Sequence, residues 1–297
     1  MTGAEQGFLL LTCPFGDPDR PVLTTAQFRT LANRAAQMEK PLEQRDLSVG
    51  DIMALGYGAE FADRIIRLLS EEDVLEHYLQ RSLRCGCFGI SRISQGYPLK
   101  LRKKLGLDSP GSLWARGELR LLNEPMIALV GSRDLNQENA AFAEQVGIAA
   151  AEHGYVLVSG NARGADRTAQ NACLAAGGRV ISVLADQLEK YPLQENLLYL
   201  SEDGFDLPFT APRALSRNRV IHALADKTFV AQVSDGIGGT WDGTVKNLRF
   251  GWSGVYCFDD CSEGMKKLIQ MGANAVEIPD LQDISNLQPN NINLFDQ

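Results

Sequence analysis

From residue 126 onward the apolar positions come in short runs, at 126–130, 155–158, 180–184, 228–233, 255–258 and 275–278. Each is rich in Val or Ile or bounded by Gly, Ser or Asp, the signature of strands buried on both faces. Between them the period changes. Residues 137–152 place Phe142, Val146, Ala149 and Ala150 on one stripe, which predicts a helix with a single buried side. Strands alternating with helices predict an α/β fold, a doubly wound and mostly parallel sheet spanning 126–279.

Upstream, residues 1–84 read as a helical domain. Thr24-Thr25 caps a helix running to about Met38, and Ser48 with Asp51 forms a capping-box pattern before a second one. Gly56-Tyr57-Gly58 then makes a tight turn before Ala62 and Ile65 on one helical face. This segment resembles a helix-hairpin-helix (SAM-like) module, whose turn presents backbone N–H groups to a phosphate; a plain helix stop and restart gives the same pattern. Residues 85–125 form a basic lead-in. Between 81 and 120 nine Lys/Arg face two acids, a local charge of +7, read either as a solvated face or as a DNA-facing surface. Residues 280–297, rich in Asp, Asn and Gln, are expected to be a flexible tail. The apolar cluster within it, Asn291-Ile292-Asn293-Leu294-Phe295, resembles sliding-clamp docking motifs and reads equally as a terminal anchor.

A length of 297 residues suggests about two domains, and 44% apolar with 22% charged residues is an ordinary globular composition. No apolar run approaches the roughly 20 residues of a membrane span, so no membrane role and a cytoplasmic location are expected. The six cysteines then read as reduced thiols. Cys85-Gly86-Cys87 and Cys257 with Cys261 lack the usual zinc spacing, so no metal and no cofactor are expected. A net charge of −8 argues against indiscriminate polyanion binding and makes any local cluster of cations more informative.

Four loops that follow predicted strands carry such chemistry. Gly131-Ser132-Arg133 offers close backbone approach, N–H groups at a helix start and a guanidinium. Ser159-Gly160 leads to Arg163-Gly164 and then Asp166, placed as a helix N-cap or as a carboxylate orienting a ligand. Arg217-Asn218-Arg219, with Arg213 upstream, is costly to assemble without an anion or a carboxylate such as Asp226. Gly236-Ile237-Gly238-Gly239-Thr240 opens a helix carrying Lys246 and Arg249. Such loops at the carboxyl edge of a parallel sheet make a positive crevice suited to holding phosphates. No nucleophile, base, dinucleotide fingerprint or Walker lysine accompanies them.

The order of these motifs resembles the DNA-processing protein A family, also called Smf. The correspondence runs through residues 130–133, 159–166, Gly177-Gly178, Tyr191-Pro192 with Asn196, residues 217–221 and Gly238-Gly239-Thr240. It is flanked by Gly96-Tyr97-Pro98, Leu113-Trp114-Ala115-Arg116-Gly117 and the closing helix at 264–273, covering 85–279 in all. The resemblance implies an extended Rossmann-like domain that is not an enzyme and binds single-stranded DNA in a basic pocket. It further implies a homodimer that assists loading of a RecA-type recombinase, in natural transformation, recombination or a phage-defence variant of that role. The site residues implied are Ser132, Arg133, Ser159, Gly160, Arg163, Asp166, Lys190, Arg217, Asn218, Arg219, Gly238, Gly239, Thr240 and Lys246, with Trp241 as a stacking surface. Leu193 stands where members often carry a base, with Lys190 nearby to take its place; the loop at 239–244 is altered, and the C-terminal winged helix that many members add is not expected here. The competing class is an enzyme. Residues 238–242 distantly resemble the loop of the Lonely guy phosphoribohydrolases but lack its proline and spaced glutamate. A nucleotide-sensing regulator is a third reading.

Overall fold

The structure, a computed structural model, describes residues 1–37 and 47–289. Five helices open the chain: α1 (Gly3–Thr12), α2 (Thr25–Ala35), α3 (Val49–Ala54), α4 (Ala59–Leu69) and α5 (Glu72–Arg84). Capping boxes at Thr24 with Gln27 and at Ser48 with Asp51 start α2 and α3 as their sequences predict. The α3–α4 turn passes through Gly56 at φ +85°. It is braced from α2 by Arg34, which donates to the Leu55 carbonyl at 3.0 Å and lies over the Tyr57 ring. Glu60 occupies the first turn of α4, where its carboxylate meets the helix dipole that a phosphate would otherwise use. Met38 lies outside the described residues.

The remainder builds one nine-stranded sheet. Its strands are β1 (Cys87–Ser91), β2 (Ser112–Gly117), β3 (Met126–Val130), β4 (Val156–Ser159), β5 (Arg179–Leu184), β6 (Leu197–Glu202), β7 (Lys227–Val230), β8 (Gly254–Phe258) and β9 (Asn274–Val276). The helices are α6 (Leu99–Leu105), α7 (Gln137–Glu152), α8 (Ala165–Ala175), α9 (Ala211–Ser216), α10 (Asn218–Leu224), α11 (Gly239–Phe250) and α12 (Glu263–Gln270). The strand order is β1-β2-β6-β5-β4-β3-β7-β8-β9, antiparallel at β1/β2 and β2/β6 and parallel elsewhere. The fold is thus α/β, Rossmann-like and doubly wound, preceded by helices.

Alternation along the strands divides the core in two. Ile127 and Leu129 pack with Phe142 and Val146 of α7 on one face. Ala128 and Val130 pack with Val220, Ile221 and Leu224 of α10 on the other. Trp114, Tyr78 and Phe205 join α5 to the first face through tilted and edge-on ring contacts.

The structure differs from the sequence reading in three places. The basic lead-in is part of the sheet: β1 and β2 close its edge, and β6, also not anticipated, joins them to the parallel strands. Many of the cations between 81 and 120 are engaged internally. Lys100 pairs with Asp226 at 2.6 Å, Arg81 with Asp206 at 2.9 Å, and Arg116 donates to the carbonyls of Cys85 and Tyr191. The tail expected from residue 280 is packed through its first part, with Leu281 and Ile284 buried and Lys227 donating to the Ile284 carbonyl at 2.6 Å. The clamp-like cluster, Asn291 to Phe295, lies outside the described residues. No described helix is long and apolar enough to cross a membrane.

Candidate nucleic-acid interface

Chain progression reverses at β3: strands run outward to β6 on one side and through β7, β8 and β9 on the other. The loops leaving β3 and β7 therefore diverge and open a crevice at their carboxyl ends. It encloses about 520 Å³ between residues 131–133, the start of α10 and residues 232–240. A recess of about 350 Å³ along residues 160–163 adjoins it, sharing Arg133, Phe209 and Arg217.

The β4–α8 loop shapes the shared wall. Gly164 has φ +83°, and a Cβ there would lie 2.5 Å from the carbonyl oxygens of Ser132 and Arg133, so only glycine lets the two loops touch. Asp166 is the second residue of α8, whose N-cap is Gly164, so the carboxylate does not cap that helix. Its Oδ2 instead accepts from the backbone N–H groups of Gly160 and Ala162, each at 3.1 Å, fixing the loop ahead of it. Burial pushes the Asp166 carboxyl above its ordinary range, opposed first by the nearby Arg217 charge.

Arg217 lies directly over the Gly160 peptide, where an added Cβ would sit 1.4 Å from Nη1. The residue is only 9% exposed, and its Nε and Nη1 have no hydrogen-bond partner among the described residues. Burial depresses its pKa, Asp166 works against that depression, and Arg133 adds to it. Arg133 is exposed and has no hydrogen bond or ion pair among the described residues. Arg163 pairs with Asp134 at 2.6 Å, but the two side chains are 73% and 84% exposed, a pairing that a phosphate can replace.

The opposite wall is the start of α11. Thr240 Oγ1 donates to the Gly131 carbonyl and Asn218 Nδ2 to the Gly239 carbonyl, each at 3.0 Å, locking both helix starts to the β3 loop. Gly238, at φ +95°, is the N-cap, so the positive end of a 12-residue helix opens at the crevice.

Of the residues singled out in the sequence, Ser132, Arg133, Asp166, Arg217, Asn218, Gly238, Gly239 and Thr240 meet in the crevice, and Gly160 and Arg163 line the recess. Four do not join them. Ser159 is fully buried, its hydroxyl taken by Gln170 Nε2 at 2.5 Å. Lys190 pairs with Asp186 at 2.9 Å. Arg219 forks onto buried Glu202 at 2.6 and 3.1 Å and, with Lys246, lines a neighbouring cleft of about 930 Å³ that shares Leu215, Asn218 and Gly239 with the crevice. Residues two apart on a helix point to different sides, so Arg219 does not line the crevice that Arg217 lines. Arg213 donates to carbonyls of Ala185, Leu207 and Pro208, and Asp226 takes Lys100 and Lys104 instead of the arginines. Trp241 packs on the core and lines neither cavity. The sequence reading missed the rim: Phe209, Leu215 and Ile237 stand 54%, 52% and 73% exposed, isolated apolar residues among turn formers that no periodic pattern marks.

A family model described as DNA recombination-mediator protein A matches residues 89–287. The DNA processing protein DprA of Streptococcus pneumoniae is 36% identical over 186 residues, 57% of this chain and 64% of that protein. Its Bacillus subtilis counterpart is 30% identical over 201 residues, 62% of this chain and 66% of that protein. The matched stretch thus spans just under two thirds of these relatives. Among solved structures, DprA from S. pneumoniae superposes with a TM-score of 0.73 at 23% identity, covering 97% of this chain and 99% of that one. DNA processing protein A from Helicobacter pylori, described for its single-stranded DNA binding mode, gives a TM-score of 0.55 at 23% identity, covering 67% of this chain and 94% of that one.

Proposed function

Because the chain belongs to the DNA recombination-mediator protein A family, we propose that it holds single-stranded DNA by its phosphates in the crevice between β3 and β7, without chemistry on the strand. The observation that carries this reading is Arg217, a buried guanidinium with two unpartnered nitrogens under the junction of crevice and recess. A phosphate set against the Arg217 charge there gains a charge-assisted contact. Arg133 and Arg163 extend the contact outward. The apolar rim of Phe209 and Ile237 offers faces for bases.

Catalysis finds little support in the same place. Asp166 is the carboxylate among the residues lining the crevice, and it is held by two backbone N–H groups beside Arg217. A phosphoribohydrolase needs a free acid near the sugar, so base release from nucleoside monophosphates should be absent. Loading of a RecA-type recombinase, homodimer formation and service in transformation or phage defence belong to this proposal too, since they follow from the family.

The test is a gel-shift titration with single- and double-stranded oligonucleotides at several salt concentrations. The wild type should prefer single strands, with affinity falling by a log–log slope of about 0.7 for each phosphate held. A variant combining Arg133→Ala and Arg217→Gln, shown by thermal melting to be folded, should lose the shift. Retained binding would rule out this crevice.

A further inference from the structure

The recess beside the crevice gathers more positive charge than the backbone of a passing strand calls for. Four arginines line it, Arg133, Arg163, Arg167 and Arg217, and they come from three separate segments of the chain. The nearby acids are largely claimed. Asp186, the carboxylate among the lining residues, takes Lys190 at 2.9 Å, and Asp134 takes Arg163 at 2.6 Å. Asp166 lies buried beside Arg217. Arg133 and Arg167 are exposed, and neither has an ion pair among the described residues.

Arg167 is the third residue of α8, in a first turn where the helix dipole disfavours a cation. Its side chain is nonetheless held. Asn161, in the left-handed region at φ +58°, offers a carbonyl that accepts from Arg167 Nε at 3.3 Å. The two Nη groups have no partner among the described residues, which leaves the end of the fork open. The Tyr191 hydroxyl, also lining the recess, has no hydrogen-bond partner there either. Burial and then Asp186 raise its pKa, while the charges of Arg167 and Arg217 both oppose that rise. Guanidiniums from α8 and from the α9–α10 junction thus bear on one hydroxyl.

A phosphodiester within a strand carries a single negative charge and two free oxygens. A terminal phosphomonoester carries about −1.5 to −2 at neutral pH and presents three. The open fork of Arg167, exposed Arg133 and the Tyr191 hydroxyl supply donors for three oxygens, and Arg217 adds charge from beneath.

We propose that the recess holds the terminal phosphate of a single strand whose body lies in the crevice, with Arg167 as the residue that selects it. This rests on the single-strand reading above and adds that the site distinguishes a phosphorylated end from interior backbone.

The probe is one short oligothymidylate in three forms, with a 5′-phosphate, with a 3′-phosphate, and with hydroxyls at both ends, titrated at one ionic strength. At least one phosphorylated form should bind the wild type roughly 5- to 30-fold more tightly than the hydroxyl form. The form that gains more gives the polarity of the strand. Arg167→Ala, a change at an exposed position, should bring that ratio close to one, and Tyr191→Phe should reduce it. Equal affinity of the wild type for all three forms would overturn the proposal. So would a preference that persists undiminished in folded Arg167→Ala. If none of the three forms binds the wild type, it is the single-strand reading that fails.

Discussion

Arg217 and Arg219 stand two residues apart and end in opposite circumstances. Arg217 is buried under the crevice with two nitrogens unpartnered, whereas Arg219 is spent on Glu202 and on the carbonyl of Asp108. The same contrast separates whole regions. Residues 81–120 carry the densest positive charge in the chain, yet Arg81, Lys100, Lys104 and Arg116 are tied to acids or carbonyls. The crevice has fewer cations, but Arg133 has no ion pair among the described residues and Arg163 has only an exposed one. Availability, and not density, decides where an anion binds.

The largest effect that tests this contrast lies on the structural side. Arg219→Ala strands the buried Glu202 and should cost about 3–5 kcal/mol of stability in denaturant unfolding. Burial raises the Glu202 carboxyl from 4.5 to about 7, with Arg219 opposing. A raised folded-state value means the native protein binds that proton more tightly. The stability Glu202 contributes is therefore complete below about pH 4.5 and is lost as pH rises toward 7. Glu202→Gln should flatten the melting temperature across that window; an unchanged profile would mean Glu202 does not titrate there.

Next in size is a change that touches no charge. Gly160→Ala places a methyl where the Arg217 guanidinium lies and should weaken single-strand binding by about 1.5–3 kcal/mol, roughly 10- to 150-fold. If Gly160→Ala binds like the wild type, Arg217 is not where the strand is held. The smallest effect should come from the basic flank. Arg102 and Lys103, charged and surface-facing on α6, should shift affinity by less than about 0.5 kcal/mol when both become Ala, measured by the same titration. A large loss would move the interface to that face.

Much of the fold was legible because parallel strands buried on both sides must read as apolar runs. That rule marked the positions of six of the nine strands and the helix from 137 to 152. It failed at β1, β2 and β6. β1 is interrupted by Gly89, packed against Trp114, and β2 runs into Arg116, whose charge is hidden only by tertiary contacts. β2 also pairs with β6, distant in sequence, whereas β6 itself carries an apolar run, Leu197 to Leu200, that the reading passed over.

The candidate site was legible in its loops and not in its directions. Gly164 and Gly238 announce sharp turns through their positive φ, and Gly131 and Gly160 announce close approach, since a Cβ at either would meet a neighbouring side chain. The sequence alone therefore determined the layered fold and which loops gather at one sheet edge, since both follow from local period and local sterics. Only the tertiary structure decided which side chains point into the crevice and which ones an internal acid claims. Those outcomes depend on helix phase and on residues such as Glu202, brought close by folding from elsewhere in the chain.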